Sequence, residues 1–531
     1  MASSSWLRRM AVATLAVITL ALAFFVTQSP HVEHHAERLL TTVASSTALR
    51  IQLISASGLT AFGMLFPRSN GSQLHFDGRL TYAYDGHAYN FTLIDGRGFA
   101  TIQDLSTGAV QTDRCLESHE VPPLFGLADA LRTGRVIDET SAVNCPVDGK
   151  VVEFVFAGEP FAFCSHPNGS VGKIHGEDLN ITIQVAPVST PEELSLVRPN
   201  ISECERLDDA LMSQTMTRGI LGRAVGRTED AMNLLRGKRR LLSFNDCDVR
   251  CRDGKKICLF VHGLGKTLDA PIADSYPEAW GDPSQLNCCS QTKFMRMDTV
   301  NNPWYGDTLS RKVCDAAVKI TGSRDRMQLE NIAIISHSMG NLIVANAAMK
   351  GLCAVGRRSK WITLAGPMSG SKSANLGVKT CGALASKVSA ATLQTLSALR
   401  FCPAKSTMSS LVYETSELSN QQLNALYERA HAAMTKYATS SMCGVSAYGI
   451  TSKDSAKYYA LGLISGHGSE NDGAVEINSC SRPFGRHRYS DSWKDGNFYM
   501  AAINHADASL RHGNGLLGSN RKPIKWLNCQ F

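Results

Sequence analysis

The chain has 531 residues, 44% of them hydrophobic and 19% charged, with 43 Gly, 18 Pro and a net charge of +7. That length corresponds to two or three domains with room for a large core, and the composition excludes disordered, collagen-like and coiled-coil chains. Only one segment is apolar enough to consider as a membrane span, which excludes a polytopic membrane protein.

That segment comes first. Arg8 and Arg9 precede an uncharged run from Met10 to Val26, and Ala21-Leu22-Ala23 offers the small-x-small pattern of a signal peptidase site. The expectation over 1–29 is a cleaved signal peptide. If it is retained, it becomes a type II anchor with the arginines on the cytoplasmic side, and either way the bulk of the chain is secreted or lumenal. Five sequons, at Asn70, Asn90, Asn168, Asn180 and Asn200, all precede residue 201 and mark expected glycosylation sites. The 16 cysteines divide into four up to residue 204 and twelve from 247 onward, with no CxxC pair. Disulfides closed within each part are the expectation, with connectivity open, and a zinc ribbon is disfavoured.

Residues 30–200 read as a β-rich domain. Arg79 to Tyr84, Tyr89 to Ile94, Val151 to Phe156 and Leu179 to Val185 alternate apolar and polar positions, and Asp85-Gly86 is hairpin-turn chemistry. From 201 to 245 the spacing turns helical and ends in a basic cluster, Arg236 to Arg240. The cluster reads either as a site for a processing protease near Arg239 or as a solvated helix end. Charge changes sign there: residues 1–239 hold 20 Lys+Arg against 25 Asp+Glu, a balance of −5, and the remainder balances at +12. A basic rear part suits an anionic membrane surface. Its basic residues are dispersed and carry no nucleic-acid-binding motif.

Residues 246–531 carry the chemistry. Ile257 to Val261 is a short buried-strand pattern running into His262-Gly263-Leu264-Gly265, and Asn331 to Ile335 is another, running into Ser336-His337-Ser338-Met339-Gly340 and a helix-prone stretch. A strand, a sharp turn and a helix are what a serine nucleophile needs, because its hydroxyl must stand clear of the backbone within reach of an imidazole. Gly340 supplies the small residue after the serine, and Ser336 stands where a glycine is usual. Further on come Trp361 to Pro367, then Glu470-Asn471-Asp472-Gly473-Ala474-Val475 after an expected strand from Tyr458 to Ile464, then Ile503-Asn504-His505-Ala506-Asp507.

Together these strings resemble the lipases and esterases of the α/β-hydrolase superfamily over about residues 250–531. The resemblance implies an α/β-hydrolase fold with a helical cap inserted at about 369–449, behind a small antiparallel β-rich domain. It implies a triad of Ser338, Asp472 and His505, oxyanion donors in the backbone N–H groups of Leu264 and Met339, and support from His262, Gly263 and Gly340. His337 is a further supporting position. Read on their own, Ser338 could be a helix N-cap, Glu470 or Glu476 could supply the acid, and His512 or His467 the base. The implied activity is hydrolysis of acyl esters, lipid first among them, with no metal or organic cofactor. A catalytically idle binding or adhesion protein and an acyltransferase, thioesterase or peptidase with the same triad are the alternatives.

Overall fold

The computed structural model describes residues 39–207, apart from short breaks, and 251–531, apart from 252 and most of 382–404. The signal or anchor segment, the basic cluster and the sequons at Asn168 and Asn200 lie outside the described residues. The chain forms two compact units, 1–227 and 228–531.

The first unit is an 11-stranded antiparallel sheet. Its strands are β1 (Leu49–Ser55), β2 (Thr60–Asn70), β3 (Gln73–Tyr84), β4 (His87–Ile94), β5 (Arg97–Asp104), β6 (Val110–Cys115), β7 (Arg135–Ile137), β8 (Lys150–Phe156), β9 (Glu159–Ser165), β10 (Lys173–Gly176) and β11 (Leu179–Val185), in the order β6-β5-β4-β3-β2-β1-β11-β10-β9-β8-β7. Every strand pairs with a sequence neighbour except where β1 meets β11, so two meanders run outward from one closure. Alternation creates the face: Leu49, Ile51 and Leu53 of β1 are buried and Arg50 is exposed. The β4–β5 turn has φ of 50° at Asp95 and 73° at Gly96, and buried Asp77 accepts the Asp95 N–H at 3.0 Å while pairing with Arg68 at 2.5 Å. Disulfides Cys115–Cys204 and Cys145–Cys164 close within this unit. Asn180 is exposed on β11, and the Asn90 side chain accepts from Thr81 at 2.8 Å.

The second unit is built on a seven-stranded sheet of β12 (Lys256–Val261), β13 (Ala270–Ala273), β14 (Cys289–Arg296), β15 (Ile332–His337), β16 (Lys360–Leu364), β17 (Ser440–Gly444) and β18 (Phe498–Ala501), in the order β13-β14-β12-β15-β16-β17-β18. All pairings are parallel except β13 with β14. Both faces are covered, so the central strands are apolar throughout. Leu259 and Val261 join the core beneath the helices Asp307–Thr321, Met339–Met349 and Gln421–Tyr437, and Cys258 and Phe260 join an aromatic core with Trp280, Phe294 and Trp526 on the other face. Four further disulfides, Cys251–Cys288, Cys258–Cys289, Cys314–Cys353 and Cys443–Cys480, lie in this unit. Six described disulfides fit a chain that folds in an oxidising compartment. Among the described residues no helix is long and apolar enough to cross a membrane.

Two expectations need correction. Tyr458 to Ile464 is not a strand but part of the helix Ser455–Ile464, and the sheet position belongs to β17. A short apolar run does not distinguish strand from helix, and the serine-rich β17 lacks a β-prone pattern although all five of its residues are buried. The stretch read as a cap over 369–449 also divides. Its helix Gln421–Tyr437 buries Leu423, Tyr427 and Met434 in the core beside Ile343 of the Met339–Met349 helix, with Tyr427 stacked on Trp304 at 5.5 Å. The helical apolar stripe there is core, and β17 follows it into the sheet.

Candidate active site

Ser338 lies between the end of β15 and the helix Met339–Met349 with φ 56° and ψ −132°, a conformation sparsely populated by residues with side chains. The turn holds because its neighbours leave no slack. The Ser338 N–H donates to Leu364 O at 2.9 Å, and a Cβ on Gly340 would fall 2.4 Å from Val261 O. Ser336, two residues before Ser338, is fully buried, and its hydroxyl has a defined task. It donates to Asn341 Oδ1 at 2.6 Å and accepts from Trp361 Nε1 at 2.7 Å. Asn341 Nδ2 in turn donates to the carbonyls of Ser338 and Leu364, each at 2.9 Å. This network under the elbow escaped the sequence reading, because neither Asn341 nor the indole of Trp361 carries a local signal for it.

Three residues far apart in the chain meet at the turn. His505 Nε2 is 2.8 Å from Ser338 Oγ, and His505 Nδ1 is 2.7 Å from Asp472 Oδ2. With Nδ1–H donating to the carboxylate, Nε2 is left to accept from the hydroxyl. Asp472 is 1% exposed, and its other oxygen accepts the N–H groups of Ala474 at 2.9 Å and Val475 at 2.6 Å. The backbone couples the two loops as well, since His505 N–H donates to Asp472 O at 2.9 Å.

The loop after β12 lies directly over the serine. A Cβ on Gly263 would fall 2.5 Å from Ser338 Cβ and 3.0 Å from Met339 N, so only glycine fits. Met339 opens its helix, and its N–H therefore has no partner in the helix's own ladder. Leu264, next to Gly263, is partly buried against the core. His262 braces the loop, donating from Nδ1 to Gly263 O at 2.7 Å and accepting the Met297 N–H at Nε2 at 3.0 Å. Burial holds its pKa down at about 4, which keeps it neutral. His337 donates from Nε2 to His505 O at 2.8 Å, and burial lowers its pKa far below the usual value. Both histidines are struts.

No family model matches the chain, and no curated protein matches it. Solved structures similar to it include the phospholipase PlaB from Legionella pneumophila, at 16% identity and TM-score 0.28 over 43% of this chain and 45% of that one. The same enzyme in complex with thio-NAD gives 16% and 0.27 over 42% and 44%. The match thus spans less than half the length of the PlaB chains. The MucA/MucB complex of Pseudomonas aeruginosa matches at 13% identity and TM-score 0.21, over 32% of this chain and 61% of that one.

The other candidates are placed elsewhere. Glu470 pairs with Arg486 at the surface. Glu476 accepts from Lys372 Nζ at 2.5 Å and from Gly468 N–H at 2.8 Å, with His467 Nδ1 3.5 Å away. Burial works against its charge, but His467, Lys372 and the Gly468 N–H outweigh it and pull the pKa down to about 2. His467 Nε2 meets Ser373 Oγ at 2.9 Å, not Ser338. His512 lies between Asp507 and Asp454. A serine zipper also joins the acid loop to the segment after β16. Ser371 Oγ donates to Ala474 O at 2.5 Å, Ser479 Oγ donates to Gly370 O at 2.7 Å, and Ser479 Oγ accepts the Ser369 N–H at 3.0 Å.

Proposed function

We propose that the second unit is an α/β-hydrolase-fold serine enzyme that cleaves carboxylic esters through an acyl-enzyme, with lipid esters as the substrate class. The observation that carries this reading is the hydrogen-bonded line from Ser338 through His505 to Asp472 at a positive-φ turn. His505 takes the proton of Ser338 as its oxygen attacks the ester carbonyl, and Asp472 holds the imidazole and stabilises its charged form. The developing oxyanion is met by the N–H groups of Met339 and Leu264, and one such donor contributes about 2.7–4 kcal/mol. His505 then protonates the leaving alcohol, and water, deprotonated by the same imidazole, releases the acid.

The test is labelling by a fluorophosphonate probe of the wild type against Ser338→Ala, followed by a panel of short-chain and long-chain esters. Labelling that survives Ser338→Ala, or its absence in the wild type, overturns the reading.

A further inference from the structure

Behind the loop that carries His505 is a second buried imidazole for which the proposed reaction has no use. His512 is 5% exposed in its side chain. Its Nδ1 is 2.7 Å from Asp507 Oδ1, and its Nε2 is 3.3 Å from Asp454 Oδ2. Asp507 is fully buried and Asp454 nearly so. Nδ1 hydrogen-bonds Asp507, and Nε2 faces Asp454 at ion-pair distance without hydrogen-bond alignment, so an imidazole with a carboxylate at each nitrogen is favoured as a cation.

The two carboxylates belong to the two elements that frame His505. Asp507 Oδ2 accepts the N–H groups of Asn504 at 2.9 Å and Ile450 at 2.7 Å. Asn504 Oδ1 accepts the N–H groups of Ala506 and Asp507, each at 2.9 Å, so the stretch from 504 to 507 is closed on itself around Asp507. Gly449 abuts it with φ +68°, and a Cβ there would fall 2.1 Å from Asp507 Oδ2. Asp454 opens the helix Ser455–Ile464, whose Tyr458 ring centroid is 5.9 Å from that of His505. The cation therefore joins the helix start on one side of the base to the loop that carries it.

We propose that His512, held as an imidazolium between Asp454 and Asp507, is a positioning residue for His505, and that loss of its proton loosens the 503–507 loop and lowers the rate of ester hydrolysis. The inference rests on the hydrolase reading. Neutral His512 would keep its bond to Asp507 and turn a lone pair toward the buried Asp454 carboxylate, a repulsive contact in a poorly solvated place. The other charged groups facing the cluster are Arg511, whose Nη1 is 3.6 Å from Asp454 Oδ2, and Lys457, whose Nζ is 3.5 Å from Asp454 Oδ1. Across the loop lie His505 itself and His337. Burial works against the charged His512, but the two carboxylates outweigh it and raise its pKa, while His512, Arg511 and Lys457 outweigh burial at Asp454 and bring that pKa to about 2. The sign follows: the cation is present below the raised His512 value, and its contribution is lost as pH rises through it.

The experiment measures kcat and KM for a neutral short-chain ester, and the rate of fluorophosphonate labelling, from pH 6 to 10 on the full chain. The wild type is expected to lose activity toward alkaline pH as His512 loses its proton. Asp454→Asn removes one facing carboxylate and keeps the bond to Asp507, so the alkaline fall moves to lower pH by about one unit or more. His512→Gln is expected to abolish the alkaline fall and lower kcat about 10-fold to 100-fold with little change in KM, as a misplaced base does. The His512 ring signals in NMR should titrate at the alkaline limb in the wild type and at lower pH in Asp454→Asn, which keeps the test intact if His512→Gln does not fold. An active enzyme whose profile is the same in wild type and Asp454→Asn, or a His512 that titrates at or below the usual histidine value, overturns the inference. A wild type that is neither labelled nor active at any pH overturns the hydrolase reading, and this inference with it.

Discussion

The two units solve the same problem, the pairing of every buried strand, in opposite ways. The front sheet is local: ten of its strand pairings join neighbours in the chain or close β1 on β11, and its turns and two disulfides serve that sheet. The rear sheet is parallel apart from β13, so its crossover connections must run back along the sheet and the loops after its parallel strands gather at one end. There Ser338 and His505, 167 residues apart, come within 2.8 Å, and Asp472 and His505, 33 apart, within 2.7 Å. A local fold organises its own surface, whereas a non-local fold can converge distant side chains on one point. That is why the proposed chemistry is assigned to the rear unit.

Breaking the convergence should have the largest effect. Ser338→Ala is expected to reduce kcat for ester hydrolysis by about 10⁶-fold, and Asp472→Asn by about 10⁴-fold, with the melting temperature nearly unchanged, because the three groups act as a unit. Steady-state kinetics alongside thermal unfolding checks both halves of that statement. Gly263→Ala comes next. The new Cβ meets the nucleophile and the Met339 N–H, so labelling by the fluorophosphonate should slow by about 100-fold or more while far-UV circular dichroism stays the same.

Two milder changes sharpen the contrast between the units. Glu476 has its pKa lowered from 4.5 to about 2 in the folded chain, so its contribution to stability is complete above about pH 5 and is lost as pH falls through 4.5 toward 2. Melting temperatures of the wild type should therefore drop over that window, and Glu476→Gln should flatten the drop. In the front unit, Asp77→Ala strips the Asp95 N–H of its acceptor and Arg68 of the nearer of its two carboxylates. A loss of about 1–3 kcal/mol in unfolding free energy is expected, with kcat unchanged, and denaturant titration with activity assays reads both. If Asp77→Ala were to lower kcat with the fold intact, the separation of stability in one unit from chemistry in the other would fail.

Local pattern was enough to locate much of this. The alternation in Leu49–Ser55 and its neighbours, the apolar runs of β12 and β15, and the order of Ser338, Asp472 and His505 are all visible in the chain, because periodicity and short motifs depend on nearby residues. The tertiary structure alone decided what each ambiguous group does. The run from Tyr458 to Ile464 could satisfy either a helix or a strand, and the sheet position went instead to Ser440–Gly444, whose backbone pairs on both sides with β16 and β18. Ser336 became a bridge between Trp361 and Asn341 because packing brings the indole within 2.7 Å. Likewise His505, His467 and His512 are chemically identical in sequence. Which imidazole faces a serine at a strained turn, which faces a buried serine and glutamate, and which lies between two carboxylates depends on long-range folding, since hydrogen bonding and charge act through space and not along the chain.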